Sequence, residues 1–263
     1  MTLTAHIDFA DPHDRIAPRL RQAFGAPREV LQAHQLQDVR AVLDAVHAAA
    51  QRGHWCVGHV RYEAAPAFDA ALQTHAADGP LAWFAVYDHA EPWAAGAPPP
   101  GATGDAPSVD WQAGMARQDF DAAIARIQQA IGNGELYQVN YTAPLQGMLH
   151  GHAADLFAAL HRAQPQGYAA CIDAGPEQVL SVSPELFFDW QASAAGGSIL
   201  ARPMKGTAAR GATPALDAAA AERLRASPKE RAENVMIVDL LRNDLSRIAE
   251  PHTVRVPELF HTQ

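Results

Sequence analysis

The stretch Ser198-Ile-Leu-Ala-Arg-Pro-Met-Lys-Gly-Thr207 holds one amine, Lys205, in a frame that restricts the backbone around it. Pro203 sets its own φ and pushes Arg202 toward extended geometry, and Gly206 permits a close or left-handed backbone approach. An amine held this way is either a surface cation at a strand end or a nucleophile whose long stem reaches a pocket. Glu185, in Ser183-Pro-Glu185, falls where one expected strand gives way to the next, beside Leu186-Phe-Phe188. A carboxyl there either points to water or is buried, kept protonated and able to donate a proton. Glu230 and Glu233 are three residues apart and share one face of a strongly signalled helix. Glu230 is explained by helix capping alone, whereas Glu233 is not. An acid beside the inward-facing Ile237 calls for a cation, either Lys or Arg or a divalent metal. Gln138, with Asn140 and Thr142, would form the polar face of an alternating segment that is half exposed to water or lines a pocket.

Several elements must position these groups. The clearest is a helix from Ser227, where Ser227-Pro-Lys-Glu230 combines an N-cap serine, proline at the first helical position and glutamate three residues on. It continues through Ile237, Leu241 and Leu245. Phe120, Ile124, Ile127 and Ile131 fall on one face of a second helix, stopped by Gly132-Asn-Gly134. Directly after it, Glu135–Thr142 is expected as a strand. A third helix is expected near 154–163, ending before Pro165. The segments 168–173 and 178–183 are expected as paired strands around Gly175-Pro176, with 186–190 as another strand and Val254–Phe260 as a last, alternating one. In the first third, Leu36, Val39, Val42, Leu43 and Val46 mark a helix. Strands follow at Trp55–Tyr62 and Leu81–Tyr87, with a turn or short helix at Glu63–Pro66 between them. Ala94–Pro107 is rich in Gly, Ala and Pro. The expected organisation is therefore an N-terminal region at 1–93, a connection at 94–110 and the first part of a catalytic domain at 111–263. The mixture of helices and paired strands indicates an α/β (mixed α+β) class.

Composition excludes several functions. The 263 residues are 48% hydrophobic and carry a formal charge of −9, which argues against nucleic acid or an acidic membrane as the main partner. A local basic pocket for a small anion remains compatible with that charge. Two isolated cysteines, Cys56 and Cys171, make no disulfide framework or zinc site, and the 13 histidines lack paired-ligand spacing. No membrane-spanning apolar run and no signal-peptide pattern is present, so a cytoplasmic location is expected.

Four motifs occur in one order: Glu135-Leu-Tyr-Gln-Val-Asn140, Ser183-Pro-Glu185, Arg202-Pro-Met-Lys-Gly-Thr207 and Glu230-Arg-Ala-Glu-Asn-Val-Met-Ile-Val-Asp-Leu-Leu-Arg-Asn-Asp244. Together they resemble the chorismate-utilising enzymes, and within these the aminodeoxychorismate-forming branch. The likeness runs from about 115 to the end, with a weaker echo in Gly58-His-Val-Arg-Tyr-Glu63. It implies packed antiparallel sheets with outer helices, here incomplete at the C-terminus. It also implies amination of chorismate to 4-amino-4-deoxychorismate for para-aminobenzoate and folate synthesis. Mg²⁺ would be the cofactor, and a glutamine amidotransferase partner would supply ammonia.

By the same resemblance, Lys205 matches a lysine that attacks the ring, where anthranilate synthases usually carry alanine. Such attack needs a neutral amine, which desolvation or a neighbouring cation provides. Glu185 matches the general acid for the leaving hydroxyl. Gln138 matches a position where water-adding relatives carry a lysine base. Gly206 and Thr207 match a substrate-contacting loop. Glu233 matches a Mg²⁺ ligand, with Glu230 close behind it. The resemblance further implies that the family's domain continues beyond residue 263, where it supplies a second metal-ligating glutamate and a histidine. Little or no turnover is expected of this chain alone. An anthranilate-synthase-like lyase and a non-catalytic fragment are the alternatives.

Overall fold

Apolar residues at helical spacing and β-branched or aromatic runs between turns generate the elements, seen here in a computed structural model describing residues 4–14, 16–193 and 196–261. In chain order these are β1 (Ala5–Phe9), β2 (Leu20–Phe24), β3 (Glu29–Ala33), α1 (Leu36–Gln51), β4 (Trp55–Val60) and a 3-10 turn at Tyr62–Ala67. Next come β5 (Ala82–Tyr87), β6 (Glu91–Pro92), β7 (Ser108–Trp111), α2 (Arg117–Gly132), β8 (Gly147–His150) and α3 (Ala153–Ala163). The rest is β9 (Tyr168–Asp173), β10 (Gln178–Ser183), β11 (Leu186–Ser193), β12 (Gly196–Arg202), α4 (Pro214–Ala226) and α5 (Pro228–Ser246). The class is mixed α/β, as expected, and the strand pairs β3–β5, β4–β5, β7–β8 and β11–β12 are antiparallel. Among the described residues no helix is long and apolar enough to cross a membrane.

The chain divides into two compact units: Met1–Asp8, Arg21–Pro165 and Ala169–Ser181 form the first, and Phe9–Leu20, Gln166–Tyr168 and Val182–Gln263 form the second. In the first, the sheet ordered β3-β5-β4 carries α1 on one face. Ala33, Val39, Ala64, Leu81 and Ala82 are buried there, with Val42, Leu43 and Phe84 packed around them. This is the apolar stripe of α1 meeting a sheet face, the usual source of helix stability in a folded chain. The second sheet is ordered β10-β9-β1-β2-β6. The Gly/Ala/Pro-rich segment 94–107 lies inside the first unit, where buried Asp155 of α3 accepts hydrogen bonds from the backbone N–H groups of Thr103 and Gly104 (2.8 and 2.9 Å).

Two expected strands are not strands. Residues 135–142 run without regular structure. Alternation supplies a face but no hydrogen-bonding partner. No partner strand lies alongside among the described residues, and Tyr141 instead packs its ring 5.9 Å from Phe120 of α2 and donates its hydroxyl to the Met115 sulfur at 2.9 Å. Residues 254–260 also lack strand structure: Pro257 removes a donor, and Phe260 has a left-handed backbone (φ +64°) that interrupts extension.

The second unit holds the antiparallel pair β11–β12 and the consecutive helices α4 and α5, which pack against each other. The Ala-rich stretch before residue 226 is a full helix, α4, capped by Thr213, whose Oγ1 accepts the N–H of Leu216 at 3.3 Å. Ser227 caps α5, accepting the N–H of Glu230 at 3.4 Å with Pro228 at the start of the helix.

Candidate active site

β12 ends at Arg202, and the chain then runs through the loop 203–213 before α4 begins. That loop, the two helices and the start of β11 enclose a cavity of about 520 Å³ within the second unit. Lys205, Gly206 and Thr207 line it, as do Arg202, Arg225 and Arg231. Glu230, Asn234 and Asp217 face it from the helices. On a chain of net charge −9, this concentrates cations around a space sized for a small organic anion.

Lys205 is partly buried. The residue after it explains how the loop fits: Gly206 has φ +74°, and a Cβ built there would lie 2.5 Å from Glu230 Oε2. Only glycine allows both the left-handed turn and the close approach of that carboxylate. The capping box is therefore only half made. Ser227 Oγ takes the Glu230 N–H, but the Glu230 side chain turns toward Gly206 and the Ser227 N–H bonds Leu224 O at 3.3 Å.

Glu185 is exposed at the entry to β11, and its Oε1 accepts the N–H of Met204 at 2.8 Å. The carboxyl is thereby tied to the peptide next to Lys205, and of the two alternatives for Glu185 the structure shows the one that points to water. Glu233 lies one helical turn beyond the start of α5. Lys229 reaches both acids, its Nζ lying 3.6 Å from Glu230 Oε1 and 3.7 Å from Glu233 Oε1. Among the described residues no group of three or more His, Cys, Asp or Glu side chains is arranged to hold a metal. The donor set offered is two carboxylates, which suits Mg²⁺, an ion commonly bound through one or two carboxylates with water and substrate completing its shell. Lys229 spans the pair, so among the described residues the cation beside Glu233 is a lysine.

Six of the seven residues singled out in the sequence, Lys205, Glu185, Gly206, Thr207, Glu230 and Glu233, belong to the second unit, and Gln138 belongs to the first. Sequence reading missed the cluster that closes the far end of the loop. Arg210 donates to Asp217 through two bonds, Nε to Oδ1 at 2.7 Å and Nη2 to Oδ2 at 2.6 Å, and the Gly211 N–H adds a third at 2.9 Å. The Arg210 bonds first, then the Gly211 N–H, lower the Asp217 pKa to about 2. The signal was Thr213-Pro214, a helix start, with an acid in the first turn. Arg231 also stacks on the Phe260 ring, 3.9 Å from its centroid, a contact no sequence spacing announced.

The second unit thus offers a cationic cavity with a lysine and carboxylates in its wall, and comparison with known proteins gives the chain a family. The chorismate binding enzyme pattern matches residues 6–263, and the chain belongs to that family. Aminodeoxychorismate synthase component 1 of Klebsiella aerogenes is 43% identical over 150 residues, covering 57% of this chain and 32% of that protein. Anthranilate synthase component 1 of Streptomyces coelicolor is 36% identical over 154 residues, covering 58% of this chain and 29% of that protein. The chain thus spans about a third of the length of these curated relatives. A solved structure described as an isochorismate synthase from Bacillus anthracis superposes with a TM-score of 0.68 at 15% identity, over 98% of this chain and 62% of that one. At that identity the likeness establishes the fold, which is the chorismate-utilising one.

Proposed function

We propose that this chain carries the covalent half-reaction of an aminodeoxychorismate synthase component I, with Lys205 as nucleophile. The observation that supports this most directly is Lys205 in the wall of a cationic cavity, with the Glu185 carboxyl bonded to the adjacent peptide. Lys205 Nζ attacks ring carbon C2 of chorismate, the two conjugated ring double bonds shift toward C4, and the C4–oxygen bond breaks. Glu185 gives its proton to the departing hydroxyl, which leaves as water, while the lysine nitrogen loses a proton. Ammonia then adds at C4 and loses a proton, both double bonds shift back, and the C2–nitrogen bond breaks as the lysine nitrogen regains a proton and the amine is restored. The arginines of the cavity hold the two substrate carboxylates. Glu230 and Glu233 would hold Mg²⁺, which when bound neutralises a substrate carboxylate and polarises the ring. Gly206 and Thr207, in the cavity wall, contact the substrate in this reading. A glutamine amidotransferase supplies the ammonia, and the product feeds para-aminobenzoate and folate synthesis in the cytoplasm.

The test is intact-mass analysis after incubation with chorismate and Mg²⁺ but no ammonia. The expected result is a species heavier by chorismate minus water, mapped to Lys205 and absent from Lys205→Ala. Fluorescent anthranilate on adding ammonia, with no lyase present, would instead support the reading suggested by the Streptomyces relative. If no adduct forms and chorismate with Mg²⁺ leaves the melting temperature unchanged, the chain does not bind its proposed substrate, and a non-catalytic role replaces this one.

A further inference from the structure

The loop that carries Lys205 is fixed at two points, neither of them foreseen in the sequence. At its start, the Met204 N–H is held by Glu185. At its end lies the cluster of Arg210, Gly211 and Asp217. The chain comes so close to the first turn of α4 here that a Cβ on Gly211 would overlap the Asp217 backbone nitrogen. Asp217 therefore receives the loop through a planar two-bond fork from Arg210 and a backbone N–H beside it, all on one carboxylate. Bidentate arginine–carboxylate pairs restrict orientation as well as distance. An acid in the first turn of a helix has a simpler use, stabilising the helix dipole. That use needs neither the fork geometry nor a glycine shaped to admit the loop.

We infer that Asp217 is a positioning residue for Lys205: with Arg210 and Gly211 it clamps the far end of the loop 203–211 onto α4, as Glu185 clamps the near end. The low pKa of Asp217, about 2, means the clamp remains ionised at any pH at which the protein would be assayed. The consequence for Lys205 rests on the nucleophile reading given above; the clamp itself does not.

Two readouts on the intact chain separate these. Backbone hydrogen exchange across 204–211 reads the clamp. Asp217→Asn is expected to accelerate it about tenfold, the scale of one charge-assisted hydrogen bond lost from an equilibrium. Arg210→Gln, made at an exposed side chain, should do the same, and the double variant should go no further than either single one because both remove one shared interaction. Ala219→Gly weakens α4 without touching the clamp and should leave 204–211 as in the parent. No acceleration in either clamp variant would overturn the proposal, as would equal acceleration in Ala219→Gly. The rate of chorismate adduct formation at Lys205 is the second readout. Asp217→Asn should slow it about tenfold while the chorismate concentration giving half the melting shift stays the same, since position rather than binding is lost. A slowed adduct accompanied by an equal loss of binding would overturn the positioning role. If the parent forms no adduct at all, the nucleophile reading fails, while the exchange result still decides whether the clamp exists.

Discussion

The two units hold themselves together by different means. Among the described residues, every buried apolar side chain except Ala220 lies in the first unit, including Phe24, Tyr87, Val39 and Phe157. In the second unit α5 buries no residue, and Phe187, Trp190 and Ile248 stand exposed. Its order comes from directed polar contacts: two helix caps, the Glu185 bond to Met204 and the Arg210–Asp217 clamp. Dry packing is non-directional and makes a stable scaffold. Hydrogen bonds to specific atoms make a loop with a defined course, which a reactive amine requires. The difference teaches that the cavity and the residues proposed for chemistry sit in the unit with the less complete core. Perturbing packing and perturbing caps should therefore have separable effects.

The largest effect is expected from Phe157→Ala. Phe157 is fully buried in α3, its ring edge-on to His6 at 4.9 Å between centroids. Loss of a buried phenyl ring costs about 3–5 kcal/mol, so unfolding of the first unit should shift strongly in a denaturant titration. If the comparison holds, hydrogen exchange of α5 should barely change. Equal loss of protection in both units would show that they share one cooperative core.

His6 gives the next largest effect and a pH signature. Its ring is 4% exposed, lies against Phe157 and Trp93, and its Nε2 has no hydrogen-bond partner among the described residues. Burial first, and then the charge of His161, lower its pKa to about 4. His161 is itself bonded to Asp8 at 2.8 Å, and Asp8 also meets Arg21 at 3.2 Å. The folded pKa lies below the unfolded value of about 6.5, so the unfolded chain binds the extra proton between those values. The contribution to stability is complete above pH 6.5 and is lost as pH falls toward 4, amounting to about 3 kcal/mol. His6→Phe should flatten that part of the pH–melting curve. An unchanged slope would place the acid sensitivity elsewhere.

The sequence made the locally encoded parts legible. Helix caps and apolar periodicity placed α1, α2, α3 and α5, and the short motifs around Glu185, Lys205 and Glu230 fell together in one unit. What failed was nonlocal. Alternation at 135–142 and 254–260 predicted faces, but strands exist only when a partner accepts their hydrogen bonds, and Tyr141 and Phe260 find aromatic and cationic partners instead. The turn of the Glu230 carboxylate toward Gly206 was hidden because capping already explained a glutamate at that position. The Arg210–Asp217 clamp joins a loop residue to a helix residue seven positions on, and helical spacing gives no guide because Arg210 lies outside α4.

The smallest effect, and the sharpest test of the second unit, is expected at Ser227. This one residue ends α4, its N–H bonding Leu224 O at 3.3 Å, and begins α5, its Oγ accepting the Glu230 N–H. Ser227→Ala should cost about 1 kcal/mol, the usual value of an N-cap. In a dry core so small a loss would be spread over many contacts. Here it should fall on the first turn of α5, where Glu230 packs against Gly206, and accelerate exchange at Glu230 and Arg231 while the first unit stays unchanged. Ser227→Asp, which retains a capping oxygen, should restore protection. If Ser227→Ala leaves those amides as protected as before, the second unit is held by packing after all, and the contrast between the two units collapses.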